Sequence, residues 1–228
     1  VSGIGIGVPG PVKEDGTVTD KDGANLEDFL GVRKYLPDRI HSLDQVGLVT
    51  GLAWTSVGGE TLEVEVNVMD GSGKLELTGN LGDVMKESAH AALSYIRANA
   101  AKLGISSDFY KTKDIHVHFP EGAVPKDGPS AGITVCTAIV SALTGQSVRR
   151  DIAMTGEISL RGRVMAIGGL KEKTMAAYLH DCKRVIIPEE NLRDLEDIDP
   201  KVRESLEFVA AKHMDDVVRA VFSYVTVE

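Results

Sequence analysis

The sequence predicts an α/β domain (α+β layering) built from mixed small sheets with flanking helices. Three observations predict it. The runs Leu62-Glu-Val-Glu-Val-Asn-Val68 and Ile115-His-Val-His-Phe119 alternate apolar and polar residues, as strands with one buried and one wet face do. From Ile152 onward, short apolar runs alternate with helical patterns, the signature of layered α/β structure. Between these halves, residues 131–143 (Ala-Gly-Ile-Thr-Val-Cys-Thr-Ala-Ile-Val-Ser-Ala-Leu) form a helix apolar nearly all round, which other elements must cover. The first half therefore reads as more antiparallel and the second as strand–helix layers.

Taken in order, residues 1–23 are rich in Gly, Pro, Asp and Lys and read as a flexible linker, leaving 24–228 as the folded domain. The run Gly3-Ile-Gly-Ile-Gly-Val-Pro-Gly10 is no dinucleotide loop: no strand precedes it, Pro9 interrupts the helix that should follow, and the glycine spacing is wrong. Residues 25–31 read as a short helix with a glycine stop. Residues 47–55 and 62–68 read as strands, and Asp70-Gly-Ser-Gly73 as a hairpin turn into a third strand, 74–78. Gly71-Ser-Gly-Lys74 fails as a nucleotide loop, because Val68 and Leu75 stand where a glycine and a magnesium-binding hydroxyl are required.

Residues 80–103 read as one long amphipathic helix ending at Gly104, with Val84, Met85, Ala91, Ala92, Leu93 and Ile96 on its apolar face and Tyr95 able to join them. Residues 115–119 form a strand feeding a proline-rich loop. Beyond the apolar helix come strand segments within 152–160 and 164–167, a helix over 170–180, a buried strand at 185–188, and helices near 189–196 and 214–222 flanking a strand at 206–210.

Composition bounds the function. A chain of 228 residues with 43% apolar and 26% charged residues has the makeup of an ordinary soluble domain. Its net charge of -9 argues against general nucleic-acid binding, since no basic surplus exists to neutralise phosphates. No apolar run approaches the roughly 20 residues a bilayer span needs, and no signal peptide opens the chain. Cys136 and Cys182 lack metal-ligand spacing, and a reducing, cytoplasmic compartment suits them. The chain begins at Val1 rather than Met, which reads as a piece of something longer. His116 and His118 share a strand face, but with neighbouring Asp114 and Glu121 they match no recognised metal spacing, so no metal site is expected.

The chemistry centres on Pro125-Lys-Asp-Gly-Pro-Ser-Ala-Gly132. Pro129 suits a first helical position, and Asp127 is placed to cap the helix that follows. Ser130 then sits at a buried helix N-terminus, where backbone N–H groups favour a developing oxyanion. A serine can also simply cap a helix there. A nucleophile needs a base. Gly128-Pro-Ser-Ala-Gly132 fits the G-x-S-x-G elbow formally, yet about ten residues separate strand from serine, and His180 and His213 sit near helix ends with no tie to it. The S-x-x-K arrangement is absent, because position 133 is Ile133. A lysine base would need its pKa brought down from about 10.4 to roughly 7–8 by burial. Lys171 and Lys173 lie on different faces of the helix after Gly169. Lys173 shares its face with Leu170, Ala176, Ala177 and His180, which favours it modestly, while solvated surface lysine is the usual fate of both.

These strings resemble the proteolytic domain of the Lon proteases, the ATP-dependent Ser–Lys peptidases. The resemblance rests on Pro125–Gly132, on Gly156-Glu-Ile-Ser-Leu-Arg-Gly162 with Gly168-Gly-Leu-Lys-Glu-Lys173, and on His116-Val-His-Phe-Pro-Glu-Gly122. Thr50-Gly-Leu-Ala-Trp-Thr55 and Thr78-Gly-Asn-Leu-Gly-Asp-Val-Met-Lys-Glu-Ser88 extend it, so that it covers roughly residues 25–222 and looks like the bacterial and mitochondrial branch. The resemblance implies Ser130 as nucleophile and Lys173 as general base. It implies supporting roles for Thr155, Asp127 and Glu157, and places His116 and His118 on a strand beside the site. It implies oxyanion donors among the backbone amides around Asp127–Ser130, with Gly128 and Pro129 at the oxyanion site or substrate groove, and Trp54 in the substrate groove. It further implies unfolded or damaged protein substrates, a hexameric ring, and ATP with magnesium only on an ATPase module outside this sequence; no cofactor is implied for this chain. Two other readings stay open: an esterase using a histidine base, and a catalytically silent ring-assembly module.

Overall fold

The antiparallel and parallel halves meet in one sheet in the computed structural model, which describes residues 43–55 and 58–222. The expected linker at 1–23 and the helix at 25–31 lie outside the described residues. The elements in order are β1 (Gln45–Val46), β2 (Leu48–Thr55), β3 (Gly58–Asp70), β4 (Leu75–Thr78), α1 (Asp83–Ala98), α2 (Phe109–Thr112) and β5 (Lys113–His118). A 3-10 turn (Pro129–Ala131) then leads into α3 (Gly132–Thr144), β6 (Ser147–Val148), β7 (Ile152–Met154), β8 (Glu157–Ile158), β9 (Val164–Met165) and α4 (Leu170–Leu179). The chain continues through β10 (Arg184–Pro188), a 3-10 stretch (Glu189–Asp197), α5 (Pro200–Ser205), β11 (Glu207–Ala211) and α6 (Met214–Val221).

The mixed α/β layering expected from sequence is found, its main sheet seven-stranded and ordered β11-β10-β7-β2-β3-β5-β4, with two-stranded sheets β1-β6 and β8-β9 as well. β3 pairs antiparallel with β2 and β5, whereas β7 pairs parallel with β2 and β10, and β10 with β11. β2 is thus the seam between the two regimes.

The expected hairpin across residues 70–73 does not form. β5 inserts between β3 and β4 and pairs parallel with β4. The cause is a distant acid. Asp114 Oδ1 accepts the N–H groups of Ser72, Gly73 and Lys74 at 2.8, 2.9 and 2.8 Å, which folds the turn over the start of β5. Those three bonds hold the Asp114 carboxyl below the usual carboxylate range.

Period-two patterning assigns the two faces of the sheet. Val49, Leu62, Val64 and Val66 join α1 and α3 in one core cluster. Leu52 points the other way and joins Leu170 and Ala177 of α4 in a second cluster. The apolar helix read from sequence is covered as required, with every residue from Gly132 to Ser141 buried. The long helix expected over 80–103 is shorter. Asn80 has a positive φ of 58°, and the Asn99 side chain turns back to the Tyr95 carbonyl at 2.9 Å, so turns replace helix at both ends. Val84 is 45% exposed instead of buried, because Met85, Ser88 and Ala89 take the inward positions. Tyr95 is fully buried. Among the described residues no helix is long and apolar enough to cross a membrane.

Candidate active site

Ser130 and Lys173 line one pocket of about 600 Å³, together with Leu52, Trp54, Met85, Asp127 and Ile167. They reach it from opposite faces of the sheet. Ser130 belongs to the 3-10 turn before α3, and its carbonyl accepts Gly156 N–H at 2.8 Å, tying the turn to the strand segment after β7. Lys173 lies in the first turn of α4, whose buried residues are Leu170, Lys173, Thr174, Ala176 and Ala177. The small alanines let the helix pack close, as the face pattern predicted, and Lys173 is 3% exposed. Lys171 is exposed.

Burial lowers the Lys173 pKa from 10.5 to about 8, because an ammonium shut away from water loses its hydration. Lys173 Nζ donates to Thr155 Oγ1 at 3.1 Å, and the Thr155 hydroxyl in turn reaches the Ser130 carbonyl at 3.4 Å. Thr155 follows directly on β7, is fully buried, and is itself anchored by its N–H to the Ile186 carbonyl at 3.1 Å. Among the described residues no hydrogen bond joins Ser130 Oγ to Lys173 Nζ.

The other residues singled out from sequence separate into two groups. Pro129, Asp127 and Trp54 line the pocket. Trp54 is 59% exposed and packs against Gly169, where an added Cβ would lie 2.9 Å from the indole. Asp127 does not cap the serine helix as expected. Its Oδ1 accepts Met85 N–H at 3.0 Å and Gly128 N–H at 2.8 Å, so it caps α1 instead. The backbone turns at Gly128, with φ 120°, to bring the carboxylate across. Gly128, Glu157, His116 and His118 are not among the residues lining the pocket. Glu157 is half-buried on β8. His116 Nε2 and His118 Nδ1 both meet Thr78 Oγ1, at 2.8 and 2.7 Å, across the β5–β4 pair at the sheet's edge.

Neither of the other histidines weighed from sequence lines this pocket. His180 Nδ1 faces Thr61 Oγ1 at 3.4 Å, and His213 faces the Arg161 carbonyl at 2.8 Å while capping α6. Among the described residues no group of three or more His, Cys, Asp or Glu side chains could hold a metal ion.

Sequence reasoning missed several residues that shape the site. Asn191, buried in the 3-10 stretch after β10, grips Ile167 through both backbone groups, accepting its N–H at 3.0 Å and donating to its carbonyl at 2.9 Å. Gly59 lets β3 touch α4, since a Cβ there would fall 2.0 Å from the Glu172 carbonyl oxygen. Ser88 donates to the Pro129 carbonyl at 3.3 Å. A buried polar residue on an otherwise apolar helix face was the one signal that could have found Ser88.

A serine at a helix start, sharing an apolar pocket with a buried lysine of lowered pKa, is an arrangement whose residue types suit the serine-hydrolase class. The chain matches the family model of the Lon protease (S16) C-terminal proteolytic domain over residues 19–224, and it belongs to that family. It is 58% identical over 207 residues to a Lon protease of Finegoldia magna, covering 91% of this chain and 27% of that protein. It is 57% identical over 202 residues to Lon protease 1 of Bacillus subtilis, covering 89% of this chain and 26% of that one. A third relative, Lon protease 1 of Myxococcus xanthus, is 57% identical over 191 residues. The chain therefore spans about a quarter of the length of these curated relatives.

Proposed function

We propose that this chain is the serine endopeptidase part of an ATP-dependent Lon-type protease, with Ser130 as nucleophile and Lys173 as general base. The observation that carries the reading is a 3% exposed lysine, its pKa lowered to about 8, in the same pocket as a serine at a helix start. Neutral Lys173 takes the Ser130 hydroxyl proton as Oγ attacks a peptide carbonyl. The carbonyl electron pair moves onto oxygen, where a backbone N–H group of the stretch from Asp127 to Ser130 receives it. The ammonium then protonates the leaving amine as the C–N bond breaks and an acyl-enzyme forms. Neutral Lys173 next deprotonates the water that releases the product. Thr155 keeps Nζ aimed into the pocket. The Oγ–Nζ contact forms as substrate binds, since catalytic hydrogen bonds are often long before the site is filled.

The substrates are unfolded or damaged polypeptides, drawn through the apolar pocket past Trp54. The chain works in a hexameric ring with an ATPase module of the same protein, in the cytoplasm. ATP and magnesium serve that module, and the peptidase chemistry needs no cofactor of its own. Residues 24–228 form the working domain, and residues 1–23 link it to the rest.

The test is hydrolysis of an unstructured fluorogenic peptide by the intact chain and by Lys173→Ala across pH 6 to 10. The intact chain should gain rate with pH to a plateau, with a midpoint near 8, and the variant should be inactive. Activity persisting in Lys173→Ala would remove the lysine base and return the histidine readings.

A further inference from the structure

We propose that Ser88 is a positioning residue for catalysis, fixing the peptide unit between Pro129 and Ser130 so that the Ser130 N–H serves as an oxyanion donor. The proposal rests on the peptidase reading above. Ser88 is 7% exposed on the inner face of α1, forty-two residues before the nucleophile. Its hydroxyl donates to the Pro129 carbonyl at 3.3 Å. The same carbonyl accepts the N–H of Gly132 from within the turn. Two donors therefore hold this oxygen from the helix side.

A peptide unit is planar, and in the trans form its C=O and N–H point in opposite directions. No cis peptide bond is found among the described residues. Holding the Pro129 carbonyl against α1 therefore turns the N–H of Ser130 away from α1. That N–H stands in the first turn of its helix, where no backbone carbonyl within the helix can accept it. It is left for the oxygen that becomes negative when Oγ adds to a carbonyl, the geometry in which a nucleophile's own amide serves as oxyanion donor. Two bonds into one carbonyl also polarise the peptide and make its N–H a better donor.

The start of α1 and the residues just before it act as a splint for the same loop. Gly82 N–H bonds the Lys126 carbonyl at 2.7 Å, Lys126 N–H bonds the Asn80 carbonyl at 3.0 Å, and Asp127 caps Met85. Those three contacts set where the loop runs. Among the described side chains of α1, Ser88 is the one that bonds the peptide carrying the Ser130 amide. Space there is tight, since a Cβ on Gly132 would come within 2.9 Å of Ser88 Oγ.

The experiment compares the intact chain with Ser88→Ala and Ser88→Cys, using the fluorogenic peptide and a peptide aldehyde. Ser130 Oγ adds to the aldehyde carbon, its proton passing to the amine, and the resulting tetrahedral oxygen occupies the oxyanion position. Loss of one neutral hydrogen bond should lower kcat roughly 3- to 10-fold in Ser88→Ala and leave KM within about twofold. Aldehyde affinity should fall by the same factor as kcat. Ser88→Cys, of similar size but a weaker donor, should fall between the two. A purely structural serine would lower the folded fraction and leave kcat per folded molecule and aldehyde affinity in place. That result would overturn the proposal, as would a change confined to KM. If the intact chain formed no adduct with the aldehyde, the peptidase reading would fall and this proposal with it.

Discussion

Replacing Lys173 with methionine should stabilise the fold at neutral pH while abolishing peptide cleavage. The lysine is 3% exposed, and burial takes its pKa from 10.5 to about 8. That difference, at 1.36 kcal/mol per pH unit, comes to about 3.4 kcal/mol. The folded state releases the proton near pH 8, whereas the unfolded chain holds it to about 10.5. Between those values the unfolded state binds more protons, so stability rises with pH across that window. Below pH 8 both states are protonated and the full cost of the buried ammonium is present. Methionine fills a similar volume without charge. It loses the bond to Thr155 Oγ1, worth about 1 kcal/mol, which leaves a net gain of about 2 kcal/mol at pH 7. In a domain of this size that is a rise in Tm of about 4–8 °C. Urea unfolding of both proteins at pH 7 and pH 10 reads the effect directly, with the gain at pH 7 shrinking toward zero at pH 10. A less stable Lys173→Met at pH 7, or a difference that ignores pH, would refute the claim that Lys173 is held in a charge-hostile site.

Two further perturbations test how that amine is aimed. Thr155→Val removes the acceptor at 3.1 Å from Nζ, and a hydrogen bond from the charged amine is worth more than one from the neutral amine by about 1 kcal/mol. The midpoint of the pH–rate curve should therefore move down from about 8 by about one pH unit while the plateau rate falls; an unmoved or raised midpoint counts against Thr155 as the partner of the working lysine. Gly59→Ala places a Cβ 2.0 Å from the Glu172 carbonyl oxygen and 3.0 Å from Lys173 N, so α4 must shift off β3. A displacement of about 1 Å should cost kcat roughly 100-fold, with a stability loss of about 1–3 kcal/mol, and a Gly59→Ala protein of unchanged kcat would show that this contact does not set the lysine's position.

What could be read from the sequence was what the sequence holds locally. The apolar helix at 131–143 and the alternating strands follow from periodicity, because the residues concerned sit within one or two turns of each other; the burial of Lys173 rather than Lys171 is favoured only modestly by its face. The nucleophile string could be read as a helix start for the same reason. What stayed hidden depends on partners far along the chain. Asp127 looked like the cap of the next helix and instead caps α1, forty-two residues back. The turn at 70–73 looked like a hairpin until Asp114, some forty residues on, claimed its three N–H groups. The long helix lost its ends to Asn80, which adopts left-handed backbone, and to Asn99, whose side chain turns back to the Tyr95 carbonyl. His116 and His118 share a face, as alternation requires, but strand order pairs them with β4, where both meet Thr78, and neither lines the pocket. Strand order is a property of pairing, which no local pattern contains.

The topology also explains why Ser130 and Lys173 can line one pocket at all. Ser130 enters with α3 on one face of the sheet, and Lys173 with α4 on the other. A continuous sheet would keep them about 10 Å apart, the thickness of a packed layer. β7 is only three residues long and stops at Met154, while its neighbours β2 and β10 continue on either side. Its carboxyl end opens a gap in the sheet where the pairing changes from antiparallel to parallel, the kind of crevice in which layered α/β folds place their sites. Thr155, the first residue past that end, stands in the gap and touches both sides, accepting from Lys173 and reaching the Ser130 carbonyl. Side chains drawn from separate layers are aligned only as well as both layers are seated on β2 and β3. That dependence is why the tight glycine contact at Gly59 and the bond from Ser88, both remote in sequence from Ser130 and Lys173, bear on how the two side chains face one another.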